Sequence, residues 1–335
     1  MHTLKVGSLA VLLGLSLSAT LVFADSAGVT DILRRQAQAG DASAQVTLGR
    51  ALQSDGVEAD KAAGTDWFRK AADQGNADGA WMLGGAYMGG VGTARDASSA
   101  IDWMRKSVQI DPVPDRMANL AFTMMVSGFF SGDQRQEAEI WARKAADKGS
   151  TQGMELLAMM SLGSQGTKDP ATAEHWLLLA SQKGDTNAQA MLGAFYLTGN
   201  LGHKDVSAGT GWLQKAADGG NAHAAGQLAA MYITGDYGVP VDGARGVALA
   251  RKSLAANDMA GHYAMGVAYV TGKGVDRDAA KGWYELAIAE RMDNSHQLRH
   301  VADYMSTAAT QLSTAQLSEL KERVDRASSH PPTAP

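Results

Sequence analysis

Six tryptophans and one leucine stand at near-equal intervals along this chain of 335 residues: Trp67, Trp103, Trp141, Trp176, Trp212, Leu249 and Trp283 lie 36, 38, 35, 36, 37 and 34 residues apart. So regular a ladder leaves few architectures open. A unit of about 36 residues buries its apolar face only by stacking on the next copy, so an array is expected rather than separate globular domains. The same signals recur around each rung. Lys70, Lys106, Lys144, Lys215 and Lys252 follow three residues later, and a small residue (Ala71, Ser107, Ala145, Ala180, Ala216, Ser253, Ala287) follows after four. Eight residues after the rung comes Gly75, Gly149, Gly184 or Gly220, with Asn257 in the same slot. Gly and Asn tolerate the left-handed conformation that ends a helix. Seven residues before the rung stands Asp60, Asp96, Asp169, Asp205, Asp242 or Asp276, whose carboxylate can accept from the free amides of a helix start. Each rung therefore falls in the middle of a capped helix of about 14 residues.

A second helix precedes each of these. Counting from Gly40, Gly75, Gly184, Gly220 and Asn257, the fourth residue is small (Ala44, Gly79, Ala188, Ala224, Gly261) and the eighth is Leu48, Leu83, Leu192, Leu228 or Met265. The twelfth is Leu52, Tyr87, Tyr196, Tyr232 or Tyr269, so these three positions lie one turn apart on one face. The ninth is Gly49, Gly84, Gly193, Ala229 or Gly266. Gly inside a helix costs roughly 1 kcal/mol relative to Ala, and its return in each unit calls for compensation, most simply close backbone approach of the paired helix. Glycine turns such as Gly89-Gly90-Val91-Gly92 and Gly272-Lys273-Gly274-Val275 join the two. The unit is helix, glycine turn, helix, and about seven such units predict an all-α solenoid without sheet.

Leu-Gly-x-x-Tyr, a glycine turn, an Asp, then Trp-x-x-Lys-Ala-Ala and a closing Gly, best seen between Lys204 and Val239, resembles the Sel-one-like repeat, a relative of the tetratricopeptide repeat. The resemblance covers roughly residues 28 to 292 in seven copies. The third and fourth copies depart from it: Pro112 and Pro114 interrupt the connection, Ala121 and Ala158 replace the small Gly, and Ser127 to Asp133 replaces the regular turn. The resemblance implies a right-handed superhelical solenoid of antiparallel helix-turn-helix repeats. It also implies a non-catalytic adaptor that holds other proteins together, often at membranes, in secretion, exopolysaccharide export or signalling. Some exported relatives staple each repeat with paired cysteines. This chain has no Cys, so packing alone must hold it and reducing agents are expected to leave its stability unchanged.

Residues 1–24 read as a signal peptide. Lys5 supplies a positive region, Leu9 to Leu17 an apolar stretch, and Val22-Phe23-Ala24 a small-residue cleavage site, which puts the mature N-terminus at Asp25. The apolar run is shorter than the ~20 residues of a membrane span and is broken by Ser16, Ser18 and Thr20. A periplasmic or secreted chain without an integral membrane segment is expected. Residues 25–327 are expected to form the solenoid with its caps: Ser26 to Gly40 is a lone second-type helix, and Asn294 to Thr307 and Thr314 to Ala327 close the other end. Residues 328–335, Pro-rich, read as a disordered tail. Removing residues 1–24 leaves 29 Lys and Arg against 35 Asp and Glu. That balance argues against a nucleic-acid partner and supplies no polybasic patch for anionic lipid.

No catalytic, cofactor or metal site is expected. Gly266 to Gly272-Lys273 imitates a phosphate loop, but its glycines are one residue too far apart and Gly274 replaces the required Ser or Thr. Gly163-Ser164-Gln165-Gly166 lacks one residue of a nucleophile elbow and follows a helix. His296 and His300 share a helical face without a third ligand, and His223 and His262 read as separate surface groups. The partner surface is sought on the first helices, expected to line the concave side. Positions 6, 7 and 10 after the starting Gly fall outside the consensus and are unusually apolar, and Trp, Tyr and Met are enriched at interface cores. Trp81, Met82, Met159, Met191 and Tyr263, with Phe129 and Phe130 from the irregular third turn, are therefore the expected partner-binding strip, core packing being the alternative for each. The expected function is a protein–protein scaffold in the bacterial envelope, with other proteins as partners. The alternative is a wall-active enzyme or a peptidoglycan- or β-lactam-binding protein, disfavoured on the premise that the Ser-x-x-Lys nucleophile is missing.

Overall fold

The structure, a computed structural model, describes residues 26–54, 58–127, 132–163, 168–293, 298 and 300–329. Residues 1–24 and 330–335, and with them the expected signal peptide and most of the tail, lie outside these. Every regular element among the described residues is helical. The chain divides into two compact units, 1–110 and 111–335. The first holds α1 (Ser26–Gln38), α2 (Ala42–Ser54), α3 (Glu58–Asp73), α4 (Ala77–Gly89) and α5 (Ala97–Ile110). The second holds α6 (Pro114–Val126), α7 (Gly132–Asp147), α8 (Thr151–Leu162), α9 (Pro170–Gln182), α10 (Thr186–Thr198) and α11 (Val206–Asp218). It continues with α12 (Ala222–Thr234), α13 (Gly243–Ala255), α14 (Met259–Thr271), α15 (Ala279–Met292), α16 (Val301–Ala309) and α17 (Thr314–Ser329).

Local chemistry sets these boundaries. The closing residues take the left-handed conformation expected of them: φ is +80° at Gly75, +93° at Gly149, +86° at Gly184, +95° at Gly220 and +52° at Asn257. Asp169, Asp205 and Asp242 cap α9, α11 and α13, and Asp96 accepts from the amides of Ser98 and Ser99 at the start of α5. Two expected caps differ. Asp60 lies inside the first turn of α3, and α15 is capped by Asp278, not Asp276, through the Lys281 amide at 2.9 Å. Counted from its cap, α15 therefore puts Glu285 in the rung slot and moves Trp283 two residues back. The fully buried Leu286 then aligns with Leu213 and Leu177, which follow the rungs of α11 and α9. The true rung here is a glutamate.

The glycines inside helices do what close approach requires. A Cβ placed on Gly193 of α10 would stand 2.9 Å from the Gly209 carbonyl oxygen and 2.7 Å from the Leu213 side chain in α11. Reciprocally, one on Gly209 would meet the Gly193 carbonyl oxygen at 3.0 Å and Leu197 at 2.7 Å. In α2 and α3 the same pairing joins Gly49 to Gly64. Around these contacts the rung tryptophans lie half-buried or buried, and the lysine three residues on folds over the ring: Nζ is 3.9 Å from the Trp67 centroid for Lys70, 3.8 Å from Trp103 for Lys106, 4.3 Å from Trp141 for Lys144 and 4.8 Å from Trp212 for Lys215. The recurrent Trp-x-x-Lys is thus a cation–π pair at helical spacing. At the C-terminus Leu320 and Val324 of α17 join the apolar core of the second unit, as a cap should. α16 starts at Val301, later than expected, and residues 294–297 lie outside the described ones.

Two glycines of one helix pair test the packing argument. Gly193→Val should lower the unfolding free energy by roughly 2–3 kcal/mol, because no rotamer avoids the Gly209 backbone. Gly211, on the exposed side of α11 with nothing near its would-be Cβ, should gain roughly 0.5–1 kcal/mol on replacement by Ala. Urea denaturation of the two variants reads both signs.

Candidate interaction surface

The first helices of the repeats are α2, α4, α6, α8, α10, α12 and α14. One residue along a helix is a rotation of about 100°, so positions 6, 7 and 10 do not share one environment. Position 6 turns toward the neighbouring repeat. Val46 joins Ala80 and Leu83 of α4 in one apolar cluster, a Cβ on Gly226 would stand 2.6 Å from that of Ala260 in α14, and Tyr263 lies beside Tyr304 of α16. Positions 7 and 10 turn outward in α2, α4, α10 and α12: Thr47, Arg50 and Gly85 are exposed there, and Met82, Met191, Ala194, Gln227 and Ala230 are half-buried. In α8 only position 10, Met159, is exposed while Leu156 at position 7 is buried, and in α14 both Ala264 and Val267 are buried.

This rotation sorts the residues expected to meet a partner. Trp81 is 4% exposed and Tyr263 8%, so both rings are packed inside instead of being presented on the surface. Burial, with Tyr304 and Asp236 nearby, raises the Tyr263 hydroxyl above its ordinary range. Met159, 44% exposed on α8, and Met191, half-buried on α10, remain on the outward side of neighbouring first helices in the second unit. Met82 belongs to the first unit and is half-buried. Phe129 and Phe130 lie outside the described residues.

Several polar groups escaped the sequence reading because they occupy slots with no consensus. Glu155 holds position 6 of α8, and its Oε1 is buried without a hydrogen-bond partner. It faces Asp185, the cap of α10, whose Oδ1 accepts from the amides of Asn187 at 2.9 Å and Ala188 at 3.1 Å. Burial first, then the like charge of Asp185, pushes the Glu155 carboxyl up to about 8. Burial pulls Asp185 the same way, but hydrogen bonds from Thr151, Ala188 and Glu155 outweigh it and hold Asp185 below its usual range. Burial and the neighbouring charge thus favour the protonated form of Glu155 and the ionised form of Asp185. Position 5 is another such slot. Gln45 and Gln189 are buried there and donate to the carbonyls of Ala37 at 3.0 Å and Ser181 at 3.3 Å.

His262 occupies position 5 too, and the expectation of a surface group is corrected: it is buried, with Nδ1 2.6 Å from Glu285 and Nε2 2.9 Å from Asn257 Oδ1. Its partner is the glutamate that replaces the rung tryptophan. His223 stays partly exposed, 3.3 Å from Asp258, and that hydrogen bond raises its pKa. His300 faces Asp303 at 3.0 Å, while His296 and residues 164–167 lie outside the described ones. The segment from Gly266 to Thr271 is helix, and Lys273 Nζ donates to the Ile233 carbonyl at 2.8 Å. One Ser-x-x-Lys spacing does occur, Ser318 to Lys321, against the premise above. Both side chains are exposed on the terminal helix α17. Among the described residues no group of three His, Asp or Glu is placed to hold a metal.

Truncation separates packed from outward-facing residues. Trp81→Ala and Tyr263→Ala should each cost roughly 3–5 kcal/mol of stability, and Met159→Ala under about 1 kcal/mol, read from denaturant midpoints.

The Sel1 repeat matches residues 42–76, 77–109, 117–150, 151–185, 186–221, 222–258 and 260–290. Among solved structures, one similar fold is that of a protective antigen present in uropathogenic Escherichia coli strains and displaying an SLR fold: 22% identity, 91% of this chain and 67% of that one, TM-score 0.67. Another is a Sel1 repeat protein from Oxalobacter formigenes: 22% identity, 88% and 90% covered, TM-score 0.52. At this identity the likeness concerns the fold. No curated protein matches the sequence. Seven consecutive repeats span more than half of the chain, and it belongs to the Sel1 repeat family.

Proposed function

We propose that the protein is a non-catalytic scaffold for protein–protein interaction in the bacterial envelope. In this reading residues 1–24 export it, cleavage follows Ala24, and it works in the periplasm or outside the cell, in exopolysaccharide export or envelope signalling. Sel1 repeat proteins generally mediate protein–protein interactions. The observation that carries the reading is Met159, left 44% exposed on a helix whose Met154, Leu156, Leu157 and Met160 are all buried. Met191 stands near the corresponding outward position of the next first helix. Unbranched thioether side chains adapt to partners of different shape, which suits a scaffold. The net charge of −5 favours a protein over a nucleic acid. Among the described residues no helix is long and apolar enough to cross a membrane.

A photo-crosslinking amino acid placed at Met159 or Met191 should give discrete adducts in cells, whereas one at Ile140, exposed on the second helix α7, should not. Adducts at Ile140 alone would move the site to the second helices. The double variant Met159→Ala, Met191→Ala should weaken capture of the crosslinked partner at least tenfold, about 1.4 kcal/mol. N-terminal sequencing of the protein recovered from cells should start at Asp25. Covalent labelling by a tagged β-lactam would refute the non-catalytic reading.

A further inference from the structure

The position at which a first helix meets the next repeat is filled by Val46, Trp81, Ala190, Gly226 and Tyr263, and by one acid, Glu155. At this joint the side chain that should pack carries a carboxyl, and the group it meets across the joint is another carboxyl, Asp185. We propose that the α8–α10 joint is a pH-sensitive seam, in which the protonated Glu155 carboxyl donates to the Asp185 carboxylate and ties α8 to the start of α10, and release of that proton to solvent loosens the two repeats.

The surroundings leave the pair to itself. From α7 comes Arg135, whose Nη2 donates to the Met160 carbonyl at 3.2 Å, further along α8. From α6 comes the neutral Asn119, bonded to Gln152 at 3.0 Å. After α9, Lys183 extends its Nζ over Gly149. On α8 itself the Thr151 hydroxyl bonds Asp185. None of these supplies a partner to Glu155 Oε1. Ionising Glu155 would therefore place two negative charges in a partly desolvated joint, and separation of the helices is how water reaches them.

The sign of the effect follows from the raised carboxyl. Because the folded chain holds this proton more tightly than the unfolded one, the stability it contributes is complete below the ordinary glutamate range and is lost as pH rises toward about 8. The His223–Asp258 hydrogen bond raises the His223 pKa and so adds a pH dependence of its own, which makes a Glu155 variant the right comparison.

In the full chain the melting temperature should fall by about 5 °C between pH 6 and pH 9 more than it does in Glu155→Gln. Asp185→Asn, which keeps an accepting cap but removes the like charge, should move the midpoint of this loss to lower pH. The chain has no Cys, so spin labels on cysteines introduced at Met159 and at the exposed Thr198 of α10 report the joint alone. Their distance distribution should widen from pH 6 to pH 9 with Glu155 present and stay fixed in Glu155→Gln. Equal pH responses in the two chains, by melting or by distance, would overturn the proposal. So would an Asp185→Asn midpoint that does not move.

Discussion

The fold depends on one contact made in five of the seven repeats: the backbones of the two helices meet where glycine removes the side chain, Ala121 and Ala158 taking its place in the third and fourth. Each glycine is a hole that receives the partner helix's apolar knob. Gly193 receives Leu213 and Gly209 receives Leu197, Gly246 receives Ile233, and Gly266 and Gly282 receive Leu286 and Val270. The helix-propensity cost of each glycine is about 1 kcal/mol, and each buried Leu, Ile or Val returns about 1.5–3 kcal/mol, so the exchange favours the pair. That closeness brings the small residues of the second helices, such as Ala71 and Ala145, against Gly79 and Gly153 of the next first helix. It also leaves the rung tryptophans at the edge of the core, where a lysine covers the ring.

Much of this was legible in the sequence because it is local or made in fixed register within one repeat. Caps, closing glycines and internal glycines repeat with the unit and each has a single physical job. Two expected caps, Asp60 and Asp276, fail, and at the second of them residue type misleads register: Glu285, not Trp283, holds the rung slot. The cap is what sets the phase of a helix, and Asp276 and Asp278 are both suitable in type. Once the phase is corrected, the glutamate in the tryptophan slot explains why a histidine is buried opposite it. His262 and Glu285 meet there through a hydrogen bond.

The interaction surface was legible only in part, for a geometric reason. Positions that carry no consensus look free in the sequence, yet a missing consensus has two origins. Outward positions vary because solvent accepts most residues, as with Thr47, Met82 and Gln227. Joint positions vary because each must fit one neighbour, as Gly226 fits Ala260 and Tyr263 fits Tyr304. The two sets are one residue apart in sequence and about 100° apart around the helix. Periodicity fixes the helix face that meets its own partner helix, but the rotation of one pair on the next is set by the side chains at the joint itself.

In an array whose repeats contact mainly their neighbours, a poor joint is a local matter. A carboxyl at the α8–α10 joint costs that joint its apolar packing without disturbing the crossing within each pair, Gly193 on Gly209 in α10 and α11, which belongs to the pair and not to the joint. This separation lets a repeat protein without cysteines carry polar or titratable groups between repeats while each pair stays intact. It also places any partner surface under the control of the joints. Met159 and Met191 sit on the two helices that Glu155 and Asp185 connect, so their mutual position is set by a carboxyl seam rather than by the packing within either pair.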